Sequence, residues 1–274
     1  MAEKKAKKQA VQRLLEEGFF KSAEEAAPWF MSGQVYFDSL RVTSPRQSVP
    51  ETAAITVKGY NQKYISKGGY KLEGAIADFG IDVTNRVCID AGACTGGFTD
   101  CLIKHGAARV YAVEVGFGQL HGSLRQDGRV INLEKTNISD EKLLTLDPKP
   151  DLGSVDLSYL SLRKGVPAFR EVMHGKGELM CLVKPLFECE NMEARRTGTL
   201  TPDAYEPTLL ALIDDLRHQP DTGVAGVTYS PVTGNNGTHE FFLHVCFGED
   251  RNLDLTRDVH CAVEKVLQLI PYKK

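Results

Sequence analysis

The sequence predicts a mixed α/β fold: an open, mostly parallel sheet covered by helices on both faces, preceded by a small α+β unit. Three observations predict it. Arg86 to Leu102, RVCIDAGACTGGFTDCL, reads as a buried strand that breaks into a glycine-rich loop and restarts as a helix. Beyond it, β-rich runs alternate with helical periods, the pattern of a parallel sheet. Ahead of it, residues 9–58 hold two short helical periods followed by short β-rich runs.

Composition sets the bounds. The 274 residues are 42% hydrophobic and 25% charged, ordinary globular usage with ample material for a core. There is no apolar run of membrane-spanning length and no secretory segment behind the N-terminal lysines, so a soluble, cytoplasmic protein is expected, with no membrane partner. The seven cysteines are an odd number and form no CxxC pair; reduced, buried thiols are expected, with no disulfide framework and no metal. Net charge is −3, so a nucleic-acid partner has to be held by a local basic patch.

Residues 1–8 carry Lys4, Lys5, Lys7 and Lys8 and read as a solvated basic tail. Val11, Leu14 and Leu15 give a short helix ended by Gly18. Ser22 opens a second helix as its N-cap, with Glu24 and Glu25 in the first turn and Gly33 at its end. Residues 34–37, 41–43 and 54–58 read as strands. The phrase LLEEGFFKSAEEAAPWFMSGQVYFDSLRV resembles an S4 RNA-binding domain, which makes residues 9–58 an S4-like unit. S4 domains typically carry an arginine after the opening serine; here Ala23, Glu24 and Glu25 follow, so a weak RNA grip or a docking role is expected. Residues 59–66, with turn formers and no period, are the expected linker.

Residues 67–274 form the expected main domain. Gly68 and Gly69 precede a helix with Leu72, Ala75, Ile76 and Phe79 on its apolar face, Lys71 in its first turn and Gly80 at its end. Strands are expected at 87–89, 109–115, 130–133, 152–158 and 178–183, and a final antiparallel pair at 222–232 and 240–247. Residues 119–124, 207–216 and 254–269 read as helices, and 192–201 as a flexible substrate-side loop. A terminal antiparallel pair on a parallel sheet is the class I, Rossmann-like methyltransferase arrangement.

The glycine loop sharpens that reading. Its spacing is Gly92-x-x-x-Gly96-Gly97, not the compact GxGxxG that brings backbone against a pyrophosphate. S-adenosylmethionine has no phosphate; it asks for room beside a strand end, here Gly92, Ala93, Gly96 and Gly97, and for an acid on its ribose. Glu114, with Val115 after it, ends the second strand of the domain and suits the ribose hydroxyls. Asp90 either anchors the methionine amino group or supports the loop. Glu134 and Asn137, past the third strand, reach the adenine side or are an ordinary polar connector.

Four polar residues remain: Lys71, Asp156 late in a strand, Lys184 after the apolar run LMCLV, and Glu240 opening EFFLHV. With SKGGYKLEGAIADFG, CIDAGACTGGFTDCLIKHGAARVYAVEVGFGQL, VDLSYLSL, LVKPLFE and GNNGTHEFFLH, they resemble the TlyA family, also called hemolysin A, across nearly the whole chain. The resemblance implies an S4 domain joined to an FtsJ-type RNA 2′-O-methyltransferase. Its Lys-Asp-Lys-Glu tetrad falls on Lys71, Asp156, Lys184 and Glu240, and its substrate is ribosomal RNA or a ribosomal subunit at a cytidine ribose. DNA, lacking the 2′-hydroxyl, is not expected as a substrate. Lys67, Leu186, Cys94 and Glu114 stand where the family usually has Arg, Gln, Ser and Asp. Lys63, Lys67, Arg195 and Arg196 are the candidate RNA contacts. Lys184 is expected either as a base with a lowered pKa or as a charged stabiliser of the developing alkoxide. The alternatives are a non-catalytic RNA-binding assembly factor and a membrane-lytic protein.

Overall fold

The structure is a computed structural model, described here for residues 7–17, 19–20, 22–60, 63–158, 160–234, 237–248 and 253–269. It divides into two compact units, Met1–Lys63 and Tyr64–Lys274. The division falls inside the expected linker.

In the first unit, β1 (Lys7–Gln9) leads into α1 (Ala10–Glu16) and α2 (Ala23–Met31). Four short strands follow: β2 (Val35–Phe37), β3 (Leu40–Arg41), β4 (Ser48–Pro50) and β5 (Ile55–Val57). They pair as a β3-β2-β5 sheet and a separate β1-β4 ribbon. Leu14, Phe30, Val35 and Val49 fill the core, and Phe20, Trp29 and Tyr60 close it, Tyr60 edge-on to both other rings and Phe20 tilted against Trp29. Ser22 caps α2 as expected, its Oγ accepting the Glu25 N–H at 3.2 Å. The basic tail is corrected in part. Lys7 and Lys8 lie in β1, paired with Pro50 and Val49, because a three-residue strand leaves no periodic signal to read. Lys8 is paired with Glu16 at 3.0 Å. Lys4, Lys5 and the Gly18 cap lie outside the described residues.

The second unit starts with α3 (Lys67–Phe79) and continues through β6 (Val87–Ala91), α4 (Gly97–Lys104), β7 (Arg109–Glu114), α5 (Gly122–Gln126) and β8 (Val130–Glu134). Next come β9 (Leu152–Val155), α6 (Leu162–Val172), β10 (Gly177–Val183), α7 (Pro185–Glu188), α8 (Met192–Thr197) and α9 (Tyr205–Arg217). β11 (Thr222–Tyr229), β12 (Phe241–Phe247) and α10 (Thr256–Leu267) close it. The seven-stranded sheet runs β11-β12-β10-β9-β6-β7-β8. β12 is antiparallel to both neighbours, and the pairs among β10, β9, β6, β7 and β8 are parallel.

Alternation along the strands builds two cores. Leu179, Cys181 and Val183 of β10 face one side with Phe169, Leu209, Leu212 and Val259 from α6, α9 and α10. Met180 and Leu182 face the other with Leu72, Ala75, Phe98 and Leu102 from α3 and α4. Burial on both faces is why these strands read as near-continuous apolar runs.

Several expectations are corrected. α3 begins at Lys67, so Gly68 and Gly69 are helical and Lys71 lies beyond the first turn. Tyr64, expected in the linker, is buried in the second unit, and its ring occupies the space a side chain on Gly69 would need. The expected flexible stretch contains α8, capped by the Asn191 side chain on Ala194 N–H at 3.1 Å. α6 went unread: Pro167 and Gly165 interrupt its sequence pattern, yet Val166 and Phe169 are buried.

Candidate active site

The site is built at the carboxyl ends of the parallel strands, where open α/β sheets hold ligands. β6 ends at Ala91 and the glycine loop begins. Gly92 adopts φ +83°, and a Cβ there would overlap the carbonyl oxygen of Asp156. The Gly92 and Ala93 N–H groups both donate to Val113 O, at 3.0 and 3.1 Å, which folds the loop back over β7. Gly96 precedes α4, and Gly97 packs against the start of α3: a side chain would overlap Ser66 Oγ and lie 3.2 Å from Gly68 Cα. The loop is thus wedged between β9 and α3, the two elements that present Asp156 and Lys71.

Asp90 is fully buried beneath this loop. Its Oδ2 accepts the Thr99 hydroxyl at 2.7 Å and its Oδ1 the Ser154 hydroxyl at 2.9 Å, linking β6 to α4 and β9. Burial pushes its pKa up to about 6 against those two hydrogen bonds. Both carboxylate oxygens of Asp90 are thus engaged by side chains of α4 and β9.

Glu114 is half-buried at the end of β7. Its Oε2 accepts the Cys94 N–H at 2.9 Å and its Oε1 the Gly116 N–H at 2.7 Å, so the acid braces the glycine loop while keeping lone pairs for a further donor. Val115, next along, is 67% exposed. Glu134 accepts from Gln119 N–H and Arg125 Nη2, both at 3.1 Å. The Gly118 backbone N–H, with those of Leu120 and Gln119 and with Arg125, holds its carboxyl below the usual range. Asn137 is exposed, and its Oδ1 closes a local turn on Ser139. Glu134 therefore organises the 118–120 segment, and Asn137 shapes its own connector.

The four polar residues meet as two ion pairs. Lys71 and Glu240 pair in a buried contact, each 4% exposed. Lys184 Nζ lies 2.6 Å from Asp156 Oδ1, with side chains 19% and 28% exposed. Register explains the convergence. Val155 pairs with both Ala91 and Cys181, and Val183 pairs with Phe241, so Asp156, Lys184 and Glu240 leave one edge of adjacent strands. Burial raises the Glu240 pKa, and Lys71 opposes the rise; Asp156 and Lys184 are near enough to act on it as well. Lys184 also donates to Leu157 O at 3.2 Å and Ser158 Oγ at 3.4 Å. Three acceptors around one amine are the surroundings of an ammonium.

Some residues that shape the site were not singled out from the sequence. Glu188, 3% exposed, accepts Ser161 Oγ at 2.6 Å, Leu162 N–H at 2.8 Å and Arg163 Nη1 at 3.1 Å. It clamps the segment after Asp156 to the segment after Lys184. An acid four residues beyond that lysine and a serine five beyond that aspartate was the available signal. Asp100 Oδ2 takes Ile65 N–H and Lys104 Nζ, both at 2.9 Å, and fixes the approach to α3.

Of the candidate RNA contacts, Lys67, Arg195 and Arg196 lie in the second unit and Lys63 in the first. Lys67 Nζ donates to Thr233 O at 3.4 Å, on the segment leading to Glu240. Arg195 is exposed but spends Nε on Cys189 O at 2.8 Å, and Arg196 pairs with Glu193 at 2.7 Å. Lys63 is an exposed residue of the first unit.

Comparison with known proteins agrees with this geometry. The family model of the FtsJ-like methyltransferases matches residues 64–247. The chain is 36% identical over 260 residues to the 16S/23S rRNA (cytidine-2'-O)-methyltransferase TlyA of Mycobacterium tuberculosis, covering 92% of this chain and 96% of that one. It is 36% identical over 231 residues to Hemolysin A of Brachyspira hyodysenteriae, covering 83% and 95%. A solved structure from Streptococcus thermophilus, provisionally named a hemolysin, superimposes with a TM-score of 0.70 at 30% identity over 96% of this chain and 97% of that one. With a parallel sheet that ends in a glycine loop and two lysine–carboxylate pairs, and with these relatives, the chain belongs to the FtsJ-like methyltransferase family, among its TlyA or hemolysin A members.

Proposed function

We propose that this enzyme transfers a methyl group from S-adenosylmethionine to a ribose 2′-hydroxyl of ribosomal RNA, at a cytidine. The observation that carries the reading is the meeting of Lys71–Glu240 and Lys184–Asp156 at one strand edge, against a loop whose Gly92 has no room for a side chain. The name of the Mycobacterium tuberculosis relative, a cytidine-2'-O-methyltransferase of rRNA, points the same way.

The residues present fit the cofactor. The glycines let the loop turn tightly against Asp156 O, Leu124 and Ser66 at the strand ends, and Glu114 is held beside it with acceptor capacity to spare. Glu114 would hold the ribose. S-adenosylmethionine supplies an electrophilic methyl on a sulfonium. The chain's own residues orient the attacking oxygen. The Lys184 ammonium, held by Asp156 and Leu157 O, would turn the N–H that now reaches Ser158 Oγ at 3.4 Å to the 2′-oxygen and stabilise the negative charge that grows on it. Asp156 would accept from the hydroxyl, draw it into line and take up its proton as the oxygen–methyl bond forms. Lys71, fixed by buried Glu240, adds a second positive charge. Much of the rate would come from this positioning.

The first unit is proposed as an S4-like RNA-docking module, on the order of its two helices and short strands. Its Arg13 is committed to the fold, donating to Pro50 O at 2.8 Å, which supports a modest contribution to RNA affinity. A lytic reading rests on the name of the Brachyspira relative; among the described residues no helix is long and apolar enough to cross a membrane. The complete tetrad favours the enzyme.

The deciding experiment is transfer of labelled methyl to unmodified small and large ribosomal subunits, followed by mapping of the modified nucleotide. Label on a ribose 2′-oxygen is expected. Label on a base, or none on either subunit with cofactor bound, would overturn the reading.

A further inference from the structure

At the other end of the sheet three side chains converge that methyl transfer leaves unused. Cys246 on β12 lies directly opposite Glu178 on β10, and His244 lies two residues earlier on β12, on the same face. Glu178 Oε2 is 2.8 Å from His244 Nε2, and Cys246 Sγ is 3.6 Å from that nitrogen. All three atoms lie within 4.8 Å of one another, with His244 and Cys246 buried. The length of β10 separates them from Lys184 by about 20 Å of strand.

We propose that Glu178, His244 and Cys246 form a binding site for one thiophilic divalent cation of the zinc class, with a fourth position open to water.

The donor set is that of such ions: one thiolate, one imidazole and one carboxylate. A tetrahedral ion with Zn–N of about 2.0–2.1 Å and Zn–S of about 2.3 Å needs its nitrogen and sulfur ~3.5 Å apart. The observed 3.6 Å already meets this. The Nε2–Oε2 contact opens by about half an ångström when an ion replaces the proton it shares. That proton and the Cys246 thiol proton leave to solvent.

The surroundings match those of a built site. Arg86 Nη1 reaches the other carboxylate oxygen of Glu178, Oε1, at 3.4 Å, and is itself fixed by Nε on Asp151 at 2.9 Å. An outer partner of that kind orients a ligating carboxylate. The Phe79 ring stacks on His244 with centroids 5.3 Å apart and limits its rotation. A cavity of about 420 Å³ borders His244, with Asp78, Asp258 and Lys265 in its wall. Both strands belong to the second unit, so the site is complete within one chain. The competing occupant is the proton, which leaves Glu178 and His244 as an ion pair.

The test uses the full chain, stripped with chelator and titrated with Co(II). A thiolate-to-cobalt charge-transfer band is expected to saturate at one equivalent and to disappear when Zn(II) is added. The band is expected to be lost in Cys246→Ser and kept in Cys94→Ser, with Zn(II) affinity lowered at least about 100-fold in His244→Gln. Circular dichroism checks that each variant folds, and His244→Gln serves in place of Cys246→Ser if that variant does not. No band in the wild type at excess Co(II), or a band that survives in both ligand variants, overturns the site and leaves an ion pair only.

Discussion

Gly92 lies against the carbonyl oxygen of Asp156, so the loop that would hold the methyl donor and the strand end that carries a tetrad acid share one contact. Placing a methyl at Gly92 acts on both at once. Gly92→Ala has to hold φ near +83° and displace the Asp156 backbone. The left-handed conformation alone costs about 1 kcal/mol or more. Cofactor affinity and turnover are both expected to fall, turnover by at least about 100-fold. Calorimetry with S-adenosylmethionine, run beside the transfer assay, checks it. Normal affinity with lost turnover would mean that the loop and Asp156 are independent.

Lys184 tests the mechanism. Lys184→Ala removes the ammonium from Asp156, Leu157 and Ser158, and methyl transfer is expected to fall by at least about 100-fold with cofactor binding intact. Lys184→Arg keeps the charge but holds its proton too tightly to act as a base. Residual turnover clearly above that of the alanine variant is therefore expected. Equal loss in the two variants would return Lys184 to the role of a base.

The buried pair makes a stability prediction. Glu240→Met leaves the Lys71 ammonium at 4% exposure with its carboxylate removed. Breaking a buried pair in this way costs about 3–5 kcal/mol. Converting both, Lys71→Met with Glu240→Met, is expected to recover much of that loss in urea unfolding while transfer stays absent. A double variant as unstable as the single one would show that the pair is not what holds these strands.

Asp90 makes stability depend on pH. Its folded pKa, about 6, lies above the ordinary aspartate value, so the folded state resists its ionisation. The penalty is absent below the unfolded pKa near 4 and fully present above pH 6, amounting to about 3 kcal/mol. Asp90→Asn does not ionise. Its stability relative to wild type is expected to improve by about that amount between pH 4 and pH 7, read from urea midpoints. A difference that does not move with pH would remove burial as the cause.

What the sequence disclosed depended on the kind of signal. The strand from Val87, the glycine loop and the apolar run ahead of Lys184 were legible because burial on both sheet faces leaves long hydrophobic stretches. The pairing of Lys71 with Glu240 was not, since nothing local joins residues 169 positions apart. β1 was hidden because a three-residue strand has no period, and α8 because its polar surface reads as a loop. Glu188 escaped notice for another reason: a buried acid that caps a distant helix looks like any charged residue until its partners are placed.

β12 sits between β10 and β11, although β11 precedes it in the chain. During synthesis, therefore, β11 emerges with no strand to join, since its sheet partner is β12. Until Phe241–Phe247 has left the ribosome, β10 keeps an open edge and Lys71 waits for Glu240. Insertion of β12 beside β10 is thus the step that closes the sheet and brings Glu240 to Lys71.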